Sequence, residues 1–207
     1  MIKRDKTIIL TARVVSLVFT PFYLPILGLI TLFTLSYLRQ MPWPYKLQVL
    51  IMVYLFTVLL PTVLIHLYRR YHGWTLIQLG NKERRMVPYV ISILCYFACA
   101  YWMDYLHIPH FMSNIVTAAL FIQIVCALIN VWWKISAHMA AIGGVAGALF
   151  VFAEVFGFNP VWWHCLVFVV AGILGTSRMI LRQHTLLQVV VGFLVGIVCA
   201  ITGIIFL

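Results

Sequence analysis

The chain has 207 residues, 65% of them hydrophobic and 9% charged, with a mean hydropathy of +1.09. A soluble domain carries about a quarter charged residues, so the composition excludes an ordinary water-soluble fold and predicts an all-α, polytopic transmembrane bundle of about seven spans, within a range of six to eight. Fourteen Lys and Arg face only four carboxylates, Asp5, Glu83, Asp104 and Glu154, for a net charge of +10. A two-metal phosphatase site needs several Asp and Glu around hard cations, so neither a metal nor a cofactor is expected. The basic excess points to membrane lipids, not nucleic acid, as partners.

In chain order, the basic start "MIKRDK" leads into "TIILTARVV" without a small-residue cleavage site. Residues 7–20 are apolar but carry Arg13 and end at "TPFYLP", where two prolines interrupt a helix. This segment reads either as an interfacial helix or as the first half of a long, kinked span. Apolar runs then predict spans at about 22–38, 47–68, 88–106, 112–133, 138–156, 161–176 and 184–206. Residues 1–80 form an N-terminal amphipathic segment with two spans, and residues 81–207 form a helical core that holds three polar segments. The five cysteines all lie in apolar stretches and read as packing residues. The "GGVAG" at 143–147 lies inside a span and reads as a small-residue helix contact, not as a phosphate loop.

The polar segments are "NKERRMVP", "KISAH" and "SRMILRQHTLLQ". Two predicted spans separate each from the next, so all three face the same side and can meet at one site. Lys82, Arg85, Lys134 and Arg178 supply fixed positive charge, and Arg presents a planar fork to phosphate oxygens. Ser136 is a hydroxyl donor at the start of a helix whose first N–H groups are unpaired, which suits an anion. His138 and His184 can serve as nucleophile, acid or base near neutral pH. Lys82 and Arg85 are three apart, Lys134 and His138 four apart, and His184 and Gln188 four apart. Each pair shares a face wherever one helix includes both members.

These segments resemble the signatures of the integral-membrane type 2 phosphatidic acid phosphatases. The family pattern is a Lys/Arg segment ending in Arg-Pro, then Pro-Ser-Gly-His, then Ser-Arg-x5-His-x3-Asp. The third match is the specific one, with Ser177, Arg178 and His184 at the family spacing; the second keeps Ser136 and His138; the first is compressed around Lys82, Arg85 and Pro88. The resemblance covers roughly residues 80–206.

It implies that His184 attacks phosphorus, and that His138 protonates the leaving oxygen and then activates water. Arg178 completes the catalytic set, while Lys82, Arg85, Lys134, Ser136 and Ser177 hold phosphoryl oxygens. The implied activity is metal-independent hydrolysis of a lipid phosphomonoester or diphosphate through a phosphohistidine. The alternatives are a phosphotransferase of the same fold, or an anionic-lipid transporter or binding protein that breaks no bond.

Two positions depart from the family: Ala137 replaces Gly, and Gln188 stands where the family has Asp. Gln188 is expected to orient His184 through its carbonyl oxygen without supplying charge. The resemblance implies an inner-membrane protein of a bacterium with its site on the outer face. Seven spans and a basic N-terminus, by contrast, place the site on the cytoplasmic side.

Overall fold

A computed structural model describes residues 2–73 and 86–206, without the side chains of 2–5, 35 and 37. Lys82 and Arg85 therefore lie outside the described residues. Among the described residues the regular structure is entirely helical: α1 (Ile2–Val18), α2 (Leu24–Leu35), α3 (Trp43–Tyr54), α4 (Leu60–Tyr71), α5 (Met86–Tyr105), α6 (His110–Trp132), α7 (Ala137–Phe156), α8 (Val161–Ile180) and α9 (Leu186–Phe206). Seven helical stretches among these residues are long and apolar enough to cross a membrane, as the hydropathy predicts.

The first two prolines act as expected. A short 3-10 turn, Pro21–Tyr23, separates α1 from α2, and Pro25 sits in the first turn of α2, where a missing N–H leaves no bond unmade. Residues 7–20 are thus the first part of one 29-residue apolar stretch, Lys6–Thr34, instead of a separate surface helix. The next stretch is also interrupted: a π-turn at Leu55–Leu59 precedes Pro61 and joins α3 to α4. A wider turn ahead of a proline relieves the clash its ring makes with the preceding carbonyls.

Helix α7 is the axis of the bundle and packs against α9, α8 and α6. Its closest partner is α9, and the closeness comes from glycine. Gly143 and Gly147 on α7 face the backbone of α9, Gly144 faces the Ile122 side chain of α6, and Gly192 and Gly196 on α9 face the backbone of α7. A Cβ at Gly147 would lie 2.6 Å from the Ile197 carbonyl oxygen, and one at Gly192 would lie 2.8 Å from that of Ser136. Between membrane helices, where lipid competes equally for apolar surface, such close approach supplies the packing energy. The second of these contacts fixes the start of α9 against the start of α7, where two of the polar segments lie.

Helix α1 packs along α8. Val15 and Phe19 join a buried cluster of Leu24, Met139, Ile142, Leu174 and Val189, contributed by α2, α7, α8 and α9. This cluster lies just beneath the polar ends of α7, α8 and α9 and holds α1 beside them.

Candidate active site

Three chain segments end at one cavity of about 1030 Å³. Asn130 and Lys134 reach it from the end of α6 and the linker that follows, His138 from the first turn of α7, and Arg178 from the last turn of α8. Arg182 and His184 come from the α8–α9 connection. Pro88 and Tyr89, at the start of α5, line the same cavity immediately after the undescribed Lys82 and Arg85. The second and third polar segments are thus brought together as the crossing argument requires.

The local structure around His184 differs from a shared helix face. Helix α9 begins at Leu186, so His184 precedes it. "TLLQ" instead forms a reciprocal cap. The Gln188 backbone N–H donates to Thr185 Oγ1 at 3.4 Å, and the Thr185 backbone N–H donates to Gln188 Oε1 at 3.2 Å. The arrangement satisfies helix-start donors that have no intrahelical acceptor.

The same Oε1 lies 3.2 Å from His184 Nδ1. Because a backbone N–H can only donate, the Gln188 atom facing Thr185 must be oxygen, and the amide orientation is settled by that bond. His184 Nδ1 then carries the proton, which leaves Nε2 with its lone pair.

The other members are placed less uniformly. Lys134 lies in the extended linker before α7, so it does not share a helix with His138, although both line the cavity. Ser136 is the N-cap residue of α7, with φ −89° and ψ 102°, yet its hydroxyl makes no capping bond. That hydroxyl is fully buried without a hydrogen-bond partner, and Ser136 is flanked by two residues that line the cavity, Ile135 and Ala137. Ala137 occupies the first turn of an ordinary helix, where no positive φ is required of the residue replacing Gly. Ser177 is directed elsewhere: its hydroxyl donates to the Ile173 carbonyl at 2.8 Å, and it faces the crevice between α1 and α8.

Sequence reasoning missed the contribution of α1. Arg13, Ser16, Leu17 and Thr20 line the cavity, and His138 Nε2 donates to the Ser16 carbonyl at 3.3 Å. The available signal was Arg13 and Ser16 at i, i+3 in an otherwise apolar stretch. Asn130, near the end of α6, belongs to the same wall, and its Nδ2 is buried there without a hydrogen-bond partner.

The cavity adjoins an apolar pocket, and the two share Leu24, Ala119, Ile122 and Ala141. A molecule with a charged head and an apolar tail would find matching surfaces in that order.

Residues 132–207 match the model of the PAP2 superfamily. The match is consistent with a type 2 phosphatidic acid phosphatase-like family. It includes Lys134, Ser136, His138, Ser177, Arg178, His184 and Gln188, and it excludes α1 to α5 and all of α6 but its last residue, Trp132. No curated protein and no solved structure matches the chain.

Proposed function

We propose that the protein is an integral-membrane lipid phosphatase that hydrolyses a phosphomonoester or diphosphate through a phosphohistidine on His184, without a metal ion. The observation that carries this reading is the contact between His184 Nδ1 and Gln188 Oε1, which leaves Nε2 as the nucleophile. Its setting supports it: a cavity with cations at a polar end and an apolar pocket adjoining it.

In the first step the Nε2 lone pair forms a bond to phosphorus. The bond from phosphorus to the ester or bridging oxygen breaks, and that oxygen takes a proton from His138. In the second step water gives a proton to His138 as its oxygen bonds to phosphorus, and the P–N bond breaks to release orthophosphate. With Nε2 of His138 bonded to the Ser16 carbonyl, Nδ1 is the nitrogen left to exchange these protons. Arg178 and Lys134, with Lys82 and Arg85 as further proposed ligands, offset charge on the equatorial oxygens. The α7 N-terminus beside Ser136 supplies N–H donors.

The test is phosphate release from lipid phosphates by the purified protein in detergent or nanodiscs, with and without EDTA. His184→Ala should abolish release while the protein remains folded. Full activity in that variant would remove the covalent mechanism, and loss in EDTA restored by Mg would overturn the metal-free reading.

A further inference from the structure

The cavity carries more positive charge than one phosphoryl group requires. Its described lining includes Arg13, Lys134, Arg178 and Arg182 and not one carboxylate. A phosphomonoester brings at most about two negative charges, which Arg178 and Lys134 already match. Arg13 and Arg182 remain, and both are exposed at the cavity wall.

Bulk attraction to anionic headgroups explains an exposed cation on a membrane protein, but it does not explain two other observations. Ser16, one turn after Arg13 on α1, is only 7% exposed, and its hydroxyl has no hydrogen-bond partner although it lines this cavity. Arg182 occupies a left-handed position, φ 50°, at the end of α8. The Gln183 N–H bonds to the Arg178 carbonyl and the Arg182 N–H to that of Met179. This is the helix-ending arrangement in which glycine is the unstrained residue. An arginine is held there, beside the cavity, against that preference.

We infer that Arg13, Ser16 and Arg182 form a second anion subsite, next to the site of phosphoryl attack, which takes the phosphoryl group that stays on the lipid when the substrate is a lipid diphosphate. This rests on the proposed phosphatase reading and narrows its substrate class. His184 Nε2 bonds to the terminal phosphorus, the bond between that phosphorus and the bridging oxygen breaks, and the lipid phosphate departs with the bridging oxygen and a proton from His138. Arg13 and Arg182 offset the charge on the departing lipid phosphate. Helix α1, which lies outside the segment matched by the superfamily, would therefore set substrate choice.

The experiment uses the full chain in nanodiscs of uncharged lipid, with variants Arg13→Gln, Arg182→Gln and Ser16→Ala, and Arg13→Lys as the charge-retaining control. Two readouts are taken on one alkyl chain: binding of a methylene-bridged diphosphonate against a simple phosphonate, and hydrolysis of the diphosphate against the monophosphate. Loss of a charged hydrogen bond should weaken diphosphonate binding by about 10- to 150-fold in the Gln variants. The phosphonate should lose at least tenfold less, and Arg13→Lys should recover part of the difference. Equal losses on both ligands would reduce Arg13 and Arg182 to diffuse charge and overturn the subsite, as would no loss on either. If the wild type hydrolyses neither lipid while diphosphonate binding still depends on Arg13, the subsite stands and the phosphatase reading falls.

Discussion

Gln188 makes two separable contributions, and substitutions can divide them. Its Oε1 accepts from His184 at 3.2 Å and from the Thr185 N–H at 3.2 Å, so one atom both orients the histidine and caps α9. Gln188→Leu removes both bonds at similar size. The lost cap should cost about 1 kcal/mol of stability. The lost acceptor lets the proton of His184 move to Nε2, where it blocks attack, and leaves the developing imidazolium unsupported. A hydrogen bond to a charged group contributes about 1.5–3 kcal/mol, so turnover should fall about 10- to 150-fold.

Thr185→Ala is the control. It removes only the hydroxyl that accepts from the Gln188 N–H at 3.4 Å, so stability should fall by about 1 kcal/mol while turnover stays near wild type. Gln188→Glu keeps the length, both acceptor bonds and the preference for an acidic group in the first turn. It also places a negative charge beside His184, which favours the imidazolium. Because only the neutral ring attacks, the acid limb of the kcat/KM profile should move to higher pH, by about one unit or more. The assay is a pH–rate profile for each form on one lipid phosphate, beside its thermal unfolding curve. If Gln188→Leu and the wild type gave superimposable profiles, Gln188 would be a cap alone, and the orientation argument would fail.

Arg178→Lys keeps the charge but not the planar fork, so kcat/KM should drop by at least tenfold; unchanged kinetics would mean that only charge is used. His138→Ala should cost less on an aryl phosphate than on a lipid phosphate, because a good leaving group needs less protonation, and equal losses would count against the acid role. Gly147→Ala sets a Cβ 2.6 Å from the Ile197 carbonyl and should lower stability by about 1–3 kcal/mol, with turnover retained. Gly192→Ala presses on the Ser136 carbonyl instead, so unfolding and phosphate release should both suffer. A Gly192→Ala protein that is destabilised but fully active would show that the start of α7 tolerates displacement.

Much of the architecture was legible because the bilayer imposes simple rules. Long apolar runs must be helices, and counting crossings puts alternate connections on one side. The "GGVAG" run was legible for the same reason, since glycines within a span have little use other than close packing. The site was read in part. His138, Arg178 and His184 meet because they sit at helix ends, and the ends follow from hydropathy. The contact between His184 and Gln188 follows from Gln188 standing where the family has Asp; the condition for a shared helix face is not met, because "TLLQ" is a capping signature that starts the helix after His184. Ser177 could not be read from spacing, because a serine in a helix can bond the carbonyl four residues back. The place of α1 was hidden more deeply. Its approach to His138 depends on side-chain packing against α8 and the cluster beneath the site, which no periodicity in residues 7–20 encodes.

The distribution of hydroxyl bonds gives a separate reason to locate chemistry at that end. Through the spans, Thr31, Thr57, Ser92, Thr117, Thr176, Ser177 and Thr202 donate to carbonyls of their own helices. Such back-bonds let a polar side chain reside in an apolar bundle without requiring anything of its neighbours. Ser16 and Ser136 do not use this solution. Their hydroxyls are buried and unpartnered, as are the Tyr96 hydroxyl, Asn130 Nδ2 and Arg178 Nε, and all five groups lie in the cavity wall or beside it. Each buried, unmade bond costs about 1–3 kcal/mol. A fold that satisfies those serine and threonine hydroxyls of its spans locally therefore concentrates an unmet demand for acceptors at one place. All five are nitrogen or hydroxyl donors in or beside a cavity lined by cations, and a phosphoryl group, rich in acceptor oxygens and negative charge, is the partner that meets both needs together.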